Sequence, residues 1–507
     1  MSRFPSSPLP SIAIIGAGFG GLATAIALKR KLGFENFTIY EKAGDLGGTW
    51  RDNVYPGCSS DVAMYLYSLS TDLNPNWNST YGYQPEILAY LKELAVKYSI
   101  LPHIVFNCNV LEASWDDSAQ LYQITAQDLP LDTIRHITAQ VVISAIGVLE
   151  IPKLPEIPGI TKFTGPIFHS ARWNSNIDLR GKRVAVIGNG ASATQFIPAI
   201  SKLPGIKVTQ FCRTPNWYLP PVQIPISPVM RWAFEHASGA MRLYRFCLYL
   251  KTEIAYLFVF SSDKLRRLAT KWVRRYMTRV TPKQYHDKIF PSYPLGCKRM
   301  LFDTGYLPAL HRPSLELNFD GISAIDETSI LTAKGKSPLS ERLAFDAIIT
   351  GTGFIVHKYP INIRGRHSVS VQEYYDSAGG PTAYLGTSLP GFPNFCMISA
   401  GPNTVTGHTS LLFTEEIQIN YIIQLVKSIV DGNISSFEVT TKATEAYNDK
   451  IQARLSKSVF MHCISWYRLG GEGRVTSMFP GPGMLFWWWL RRPQWNHYMI
   501  IGLDRWK

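Results

Sequence analysis

Two glycine-rich runs, Ile14–Gly21 and Val186–Ala193, are the parts of this sequence whose residue types and spacing point most directly to chemistry. Each follows a short apolar stretch and precedes a helical pattern. In such a unit, glycines let the backbone approach a pyrophosphate, and the helix N-terminus stabilises its charge. The sequence therefore predicts two dinucleotide-binding units. The loop residues concerned are Gly16, Gly18, Gly20, Gly21, Gly188 and Gly190, with Ala193 where a third glycine of the second run would stand.

The residue that ends the next predicted strand differs between the two units. Glu41 lies 23 residues after Gly18, and Arg213 lies 23 residues after Gly190. An acidic residue suits a free ribose 2′-hydroxyl, whereas an arginine suits a 2′-phosphate through forked hydrogen bonds. We therefore assign FAD to the first unit and NADPH to the second. The alternative for Arg213 is a solvated charge at the end of a strand.

Two further loops carry polar residues. The run Gly47–Ser68 contains Trp50 and Asp61, and it suits either a surface turn capped by Asp61 or backbone packed against a flavin. Lys298 and Arg299 follow a Gly-Cys turn, where they are either exposed or face anionic cofactors. The sequence contains no evident acid–base pair or metal cluster, so bound cofactors are expected to carry the difficult steps.

Hydrophobic periodicity predicts the elements that position these residues. Short apolar runs predict buried parallel strands, and amphipathic spacing predicts helices. The predicted strands are Ser11–Ile15, Phe37–Tyr40, Val141–Ser144, Arg183–Ile187 and Val208–Cys212, with a meander at Val105–Val110, Glu112–Trp115 and Tyr122–Thr125. The predicted helices include Pro85–Tyr98, Glu415–Val430 and several within Pro228–Thr281.

The helical region Pro228–Thr281 is rich in arginine and in large apolar residues. Its second half, Lys264–Arg279, concentrates positive charge. A helical subdomain with a solvated basic face explains this composition. A substrate lid and a contact with a membrane surface are the alternatives.

Length, composition and net charge limit the classes of protein to which this sequence can belong. The 507 residues suggest two or three domains, and a hydrophobic content of 46% allows a large core. The net charge of +14 fits anionic cofactors, acidic substrates, a membrane surface or simple solubility. Nucleic acid is not expected, because no zinc-finger, RRM or helix-turn-helix signature occurs.

The cysteines and the apolar runs indicate in which cellular compartment the protein is expected. Seven scattered cysteines with no CxxC pair argue against a disulfide framework or a zinc site, and for a reducing compartment. The polar N-terminal tail has no signal-peptide pattern, and no apolar run is long enough to span a bilayer. We therefore expect a cytoplasmic protein without a transmembrane segment, either a monomer or a homodimer.

Between the two units lies the segment Phe163–Asn174, with the pattern Phe-x-Gly-x-x-x-His-x-x-x-Trp. This segment and the Gly47–Asp61 run resemble signatures of the class B flavoprotein monooxygenases, and within them of the type I Baeyer–Villiger monooxygenases. Trp173 favours that group, because related N- and S-oxidising enzymes carry another aromatic residue there. Asn174 departs from the family, which usually has Pro or Asp. Shorter family-like segments are Gly296–Arg299, Thr352–Phe354 and Gly401–Asn403.

The resemblance implies a reaction. NADPH would reduce FAD, oxygen would add to the flavin, and the resulting peroxyflavin would attack a ketone to give an ester or lactone. Arg299 matches the family's catalytic arginine, which stabilises the peroxyflavin anion, and Asp61 matches the acid that orients it. Lys298 and Arg213 match cations that bind the 2′-phosphate. The aromatic-rich composition favours a bulky apolar ketone of the kind found in secondary metabolism.

The resemblance also implies a set of cofactor-binding and coupling residues. His169 and Trp173 would be structural or gating residues that couple the two domains. The predicted cofactor-binding residues are Gly16, Gly18, Gly20, Gly21, Glu41, Lys42, Gly48, Thr49, Trp50, Asp61, Tyr67, Gly188, Gly190, Ala191, Ser192, Gln195, Arg213, Thr214, Lys298 and Asn403.

The predicted fold is α/β, with two doubly wound Rossmann-like dinucleotide-binding domains, for FAD and NADPH, and a helical insertion. Both domains are expected to be discontinuous. The predicted parts are 1–150 for FAD, 151–215 for NADPH, 216–290 for the insertion, 291–382 for NADPH and a linker, and 383–507 again for FAD.

Two other functions are weighed against this one. An N- or S-oxygenating enzyme of the same class would give an oxide in place of an ester. A disulfide reductase would also hold two dinucleotides, but it needs a CxxC or CxxxxC pair near the flavin, and this sequence has neither.

Overall fold

The computed structural model describes residues 10–237, 239–333, 341–399 and 401–502; most of the N-terminal tail assessed above lies outside these ranges. A five-stranded parallel sheet forms the first unit. Its buried strands alternate with helical crossovers, as expected for a doubly wound sheet. In spatial order its strands are Phe395–Met397, Val141–Ser144, Ile12–Ile15, Phe37–Tyr40 and Ile104–Val105.

A second five-stranded parallel sheet forms the second unit. Both central strands are almost entirely buried, because helices and loops cover both faces. In spatial order its strands are Leu315–Asn318, Lys207–Phe211, Arg183–Ile187, Ala347–Thr350 and Ile167–His169. The predicted α/β class with two Rossmann-like sheets is confirmed.

A four-stranded sheet packs beside the first unit. Its strands are Cys108–Asp116, Leu121–Asp128, Thr133–Ala139 and Asn362–Arg364. The meander prediction missed Thr133–Ala139, because most of that strand is exposed and lacks a buried apolar face. The strand Asn362–Arg364 shows that the chain returns to the first unit before residue 383, where we placed the boundary.

The remaining strands form small sheets. Three antiparallel strands, Gly321–Ile325, Ser329–Ala333 and Arg342–Ala344, cover one side of the second unit. Two short pairs complete the strands: parallel Tyr218–Leu219 with Leu301–Phe302, and antiparallel Ile434–Val439 with Tyr498–Gly502.

The helices are mostly those expected from periodicity. The longer α-helices are Phe19–Ala27, Gln84–Lys97, Ala191–Ile200, Pro228–His236, Ala240–Tyr256, Asp263–Val280, Val371–Ser377, Leu411–Val430, Thr441–Leu455 and Gly483–Leu490. Single-turn α-helices are Thr49–Asp52, His286–Ile289 and Tyr306–Ala309, and π-helical segments at Leu28–Leu32 and Leu257–Ser261 extend two of the longer helices. No helix within the described ranges is long and apolar enough to cross a membrane.

Two linkers join the units and pair with each other. The backbone N–H of Lys153 donates to the carbonyl of Gly353 at 2.8 Å, and the N–H of Ile355 donates to the carbonyl of Ile151 at 2.9 Å. The two crossings therefore form one double-stranded connection rather than two independent hinges.

Candidate active site

The first glycine loop is tight because backbone lies directly against backbone. Gly16 has φ +102°, and a Cβ there would lie 2.8 Å from the carbonyl oxygen of Ala145. A Cβ on Gly21 would lie 1.9 Å from the carbonyl oxygen of Gly16, and one on Gly48 would lie 3.0 Å from the Cα of Gly18. Side chains are thus excluded from this cradle, which leaves N–H groups at the helix N-terminus for a phosphate.

Aromatic side chains close the same cradle. The Trp50 indole N–H donates to the Tyr67 hydroxyl at 3.0 Å, and Tyr67 packs edge-on against Phe19 at 5.7 Å between centroids. Thr49 begins the short helix that contains Trp50. Gly20 faces Ser399, whose hydroxyl hydrogen-bonds to Glu415. The predicted flavin-binding residues of this loop therefore do come together.

Glu41 stabilises the loop from inside. Its carboxylate accepts hydrogen bonds from the backbone N–H of Ala17 at 2.8 Å and of Ala43 at 2.9 Å. Arg51 forms an ion pair with it at 2.9 Å. The predicted ribose acceptor is therefore also part of the loop's own scaffold. Lys42, its neighbour, pairs with Glu150 at the start of a linker, and burial lowers the pKa of Lys42.

The second loop repeats the backbone geometry. Gly188 has φ +110°, and a Cβ there would lie 2.5 Å from the carbonyl oxygen of Gly351. Gly190 precedes the helix that begins at Ala191. The side chain of Asn189, between the glycines, donates to the carbonyl oxygen of Thr214 at 2.8 Å. This bond holds the loop against the residues that follow Arg213.

Arg213 and Lys298 form a positive pair beside the second loop. Parallel pairing of Tyr218–Leu219 with Leu301–Phe302 brings their two segments together. Burial lowers the pKa of Lys298, and the charge of Arg213 lowers it further. Neither cation has an acidic partner within ion-pair distance among the residues that the structure describes. Two cations without counter-ions suit a phosphate.

Ser192 and Gln195 lie where the two units touch. The Tyr55 hydroxyl donates to the Gln195 side-chain oxygen at 2.9 Å, and the Gln195 amide donates to the carbonyl of Ser59 at 3.0 Å. Ser192 lies beside the same hydroxyl. Gln195, predicted as a nucleotide contact, therefore holds the Tyr55–Asp61 loop of the first unit against the second.

The Asp61–Arg299 pair lies at the end of that loop. The Arg299 Nε–H donates to Asp61 Oδ2 at 2.9 Å, and Nη2 donates to the same oxygen. Asp61 raises the pKa of Arg299 above its already high ordinary value, so the guanidinium stays charged. Its side chain is 41% exposed, so the cation is accessible to a ligand.

His169 and Trp173 lie at the edge of the second unit, next to the linker, and the coupling role expected for them stays a prediction. His169 is buried at the end of its strand, where Nδ1 accepts from the N–H of Ala171 at 3.1 Å. Its ring packs against Phe354 in the second linker at 5.6 Å. Burial lowers its pKa, which favours the neutral ring. Trp173 packs at 5.3 Å against Phe196, on the helix that carries Gln195.

Comparison with known proteins agrees with this geometry. Residues 10–225 match the family model for flavin-binding monooxygenase-like proteins. A Baeyer–Villiger monooxygenase from Streptomyces coelicolor is 36% identical over 97% of this chain and 92% of its own length. A Baeyer–Villiger monooxygenase from Pseudomonas aeruginosa is also 36% identical, over 93% and 87%.

The chain belongs to the Baeyer–Villiger monooxygenase family. Solved structures agree with the fold: one described as OTEMO in complex with FAD and NADP has a TM-score of 0.82 and 24% identity, and covers 98% of this chain and all of its own. The family assignment confirms the resemblance that rested on the Phe163–Asn174 segment and on the Gly47–Asp61 run.

Asn403, predicted as a cofactor contact, uses its side-chain amide for contacts within the protein. Its side-chain amide donates to the carbonyls of Val475 at 3.2 Å and Met478 at 2.9 Å. Its backbone N–H donates to Thr476 at 2.8 Å. A cofactor contact would therefore have to use its side-chain oxygen, and its amide braces the C-terminal segment.

A disulfide contradicts the interpretation of the cysteines given above. Cys297 and Cys463 form a disulfide across 166 residues of sequence, whereas we expected no disulfide; the other five cysteines are free. The pair escaped a search for close spacing because the fold, not the sequence, brings it together. The bond ties the turn before Arg299 to the C-terminal part of the chain and weakens the argument for a reducing compartment.

Sequence reasoning also missed the aromatic surroundings of Arg299. Tyr467 is buried and close enough to influence the charge of Arg299. Its ring packs against Trp466 at 4.6 Å and Phe460 at 5.8 Å, and Phe460 packs against Phe260. No motif marked these residues; the only signal was the high aromatic content of the C-terminal region.

Proposed function

We propose that this protein is an FAD- and NADPH-dependent Baeyer–Villiger monooxygenase that inserts one oxygen atom from O2 beside a ketone carbonyl, giving an ester or lactone. The observation that carries the proposal is the Asp61–Arg299 pair, an exposed cation oriented by a carboxylate between two dinucleotide units. Membership of the family supports the reaction class, and the geometry of the pair supports the roles proposed for these two residues.

The residues present fit both cofactors. In the first unit, Gly16 and Gly48 let backbone pack directly against backbone because they lack Cβ atoms, and this tight loop suits a pyrophosphate at the helix N-terminus. Trp50 and Tyr67, packed edge-on with ring centroids 5.6 Å apart, supply aromatic surface beside this loop for the flavin. In the second unit, Arg213 and Lys298, which have no acidic partner in the described part of the chain, suit a 2′-phosphate, which distinguishes NADPH from NADH.

The bound cofactors would supply the reducing electrons and the activation of oxygen. The chain supplies position and charge. Asp61 binds the Nε and Nη2 groups of Arg299, so the orientation of the guanidinium is set and Nη1 remains directed away from the carboxylate. A fixed cation stabilises negative charge on an oxygen in the transition state without reorganisation.

The surroundings of Arg299 support an apolar substrate. Phe260, Phe460, Trp466 and Tyr467 form a continuous aromatic cluster next to the Gly296–Arg299 turn. Such a wall favours a bulky ketone with little polar surface and helps to exclude water. Oxygenation of an amine or a sulfide by the same cofactors is the second candidate, since the cation would serve either reaction.

Product analysis tests the proposal. The holoenzyme would be incubated with NADPH, labelled O2 and parallel panels of bulky ketones, sulfides and amines, with mass spectrometry of the products. An ester or lactone with one labelled oxygen is the expected result. Sulfoxide or N-oxide without any ester would favour the second candidate. NADPH oxidation without oxygen transfer to any substrate would reject both.

A further inference from the structure

The helices of the insertion expose large apolar side chains to solvent. On the helix Ala240–Tyr256, Leu243 is 64% exposed and Phe246 is 58% exposed, and Leu250 and Ile254 follow on the same side. Spacings of three and four residues place all four on one face. Solvent-exposed Arg242 and Lys251 border this apolar stripe.

Polar contacts on the opposite side fix the orientation of that helix. Arg245 donates to the carbonyls of Tyr65 at 2.7 Å and Ser68 at 2.8 Å, and it pairs with Glu416. Its pKa is lowered by burial, as expected for a guanidinium inside the protein. Because Arg245 faces inward, the stripe at Leu243, Phe246, Leu250 and Ile254 must face outward.

The helix Gly483–Leu490 extends this surface. Glu253, on the helix Ala240–Tyr256, accepts a hydrogen bond from the Gly483 N–H at 2.9 Å, so the two helices meet there. The adjoining residues Met484, Trp487 and Trp488 are 52%, 44% and 55% exposed. Exposed tryptophans are typical of contacts with the headgroup region of a bilayer.

The helix Asp263–Val280 adds a strongly basic face. Leu268 and Trp272, both 58% exposed, lie at one edge of that face. Its exposed cations are Lys264, Arg267, Lys271, Arg274, Arg275 and Arg279.

The net charge of the helical region indicates what kind of partner this surface would bind. Residues 228–281 contain eleven lysines and arginines but three acidic residues, an excess of eight within a chain of net charge +14. Two copies of this face would repel each other. An anionic bilayer surface offers apolar depth for the stripe and negative headgroups for the cations.

We propose that the helices Ala240–Tyr256, Asp263–Val280 and Gly483–Leu490 form a docking surface for anionic lipid membranes. The apolar stripe and the exposed tryptophans enter the headgroup region, and the basic face binds lipid phosphates. Since no helix among the described residues could span a bilayer, the contact is with the membrane surface.

Vesicle co-sedimentation of the holoenzyme tests this surface. Wild-type protein should sediment with vesicles of equal parts phosphatidylcholine and phosphatidylglycerol, and should bind vesicles of phosphatidylcholine alone much more weakly. The triple variant Leu243→Ser/Phe246→Ser/Leu250→Ser should lose about tenfold or more in affinity, because it removes the apolar anchor. Its oxygenation of a soluble ketone should be unchanged.

Two further variants keep the test decisive. The matched control Leu129→Ser/Leu131→Ser/Ile134→Ser removes similarly exposed apolar residues from the turn and strand at Leu129–Ile134 and should bind like wild type. The charge variant Lys271→Gln/Arg274→Gln/Arg275→Gln keeps the apolar stripe. It should bind anionic vesicles more weakly than wild type, and its affinity should depend less on salt concentration.

Several outcomes would overturn the proposal. Failure of the wild type to sediment, or equal affinity for neutral and anionic vesicles, would do so. An unchanged affinity of both the apolar and the charge variants would also do so. A dimer by light scattering that becomes a monomer in the triple variant would show that a second copy occupies this face.

Discussion

The two dinucleotide units share a backbone design and differ in the charge that ends their second strand. In the first, Glu41 is 4% exposed, and its carboxylate binds two backbone N–H groups and Arg51. In the second, Arg213 is exposed and forms no ion pair with any residue in the described ranges. It lies beside Lys298.

This contrast indicates how one chain treats two similar ligands differently. The first unit is pre-organised by its own contacts, so little free energy is spent on ordering it when a ligand binds, which suits a cofactor that stays bound. The second leaves two charges for the ligand to neutralise, which suits a nucleotide that binds and leaves. Substitutions at matched positions of the two units test this contrast.

The third position of each glycine run gives the largest expected effect. A Cβ on Gly21 would lie 1.9 Å from the Gly16 carbonyl oxygen, whereas the second run already carries a methyl group at Ala193. Gly21→Ala should therefore lose the bound flavin almost completely, because backbone must move. The ratio of visible to ultraviolet absorbance of the purified protein measures this.

Ala193→Gly is the matched control for that substitution. It should keep the flavin and lower stability by about 1 kcal/mol, the usual cost of glycine in a helix. Retention of flavin by Gly21→Ala at the wild-type ratio would show that the first loop is looser than described.

The Asp61–Arg299 pair has the second largest expected effect, because it joins the units: Asp61 belongs to the first, and Arg299 follows Lys298 beside the second. Arg299→Ala should keep NADPH-driven flavin reduction and lower the rate of ester formation by ~10²–10³-fold, the usual effect of removing a transition-state charge partner. Rapid-mixing absorbance and product yield measure the two steps. Ester formation at the normal rate would remove Arg299 from the active site.

These pairs also show how far the sequence could predict the structure. The glycine loops and the strand-end charges followed from spacing, because local strand–loop–helix geometry determines where they lie. The Asp61–Arg299 pair, 238 residues apart in sequence, followed only from the resemblance to the family. The role of Gln195 between units did not follow, since Ser59 and Tyr55 reach it only across the folded interface. The Cys297–Cys463 bond was missed for the same reason.

Strand prediction failed where burial was one-sided or absent. Val141–Ser144 is buried throughout and was predicted with its correct ends, whereas Thr133–Ala139 is mostly exposed and was not predicted. Apolar periodicity in a sequence indicates which side chains are buried. It does not indicate which backbone segments pair with each other. An exposed strand held by its neighbour's hydrogen bonds therefore leaves little trace in the sequence.

Glu415, a buried carboxyl group in the first unit, also bears on this contrast. It forms no ion pair with a cation among the residues that the structure describes. Glu415 lies under Ser399 beside the first loop, and burial raises its pKa from 4.5 to about 7. The folded state therefore binds a proton on Glu415 more tightly than the unfolded state does. The stabilisation that this proton gives is fully present below pH 4.5 and is lost as the pH rises through 7. Glu415→Gln should equal the wild type near pH 5 and exceed its stability by up to ~3 kcal/mol at pH 8.

Urea unfolding at both pH values measures this difference. Glu416→Gln, one residue further on, is the control: it removes the partner of Arg245 and should lower stability at both pH values. If Glu415→Gln and the wild type keep the same difference at pH 5 and pH 8, Glu415 is ionised in the folded protein and the first unit is less sealed than its geometry indicates.

The smallest expected effect concerns the open charge of the second unit. Arg213→Ala should raise the KM for NADPH about tenfold, ~1.4 kcal/mol, and leave the KM for NADH nearly unchanged, because only NADPH carries the 2′-phosphate. Arg180→Ala is the control in the same unit, since Arg180 is exposed and already paired with Asp178. Initial-rate kinetics with both nucleotides measure the ratio. An equal rise for NADPH and NADH would mean that Arg213 supports the fold of the loop, as Glu41 does in the first unit, and the contrast between a closed and an open unit would fail.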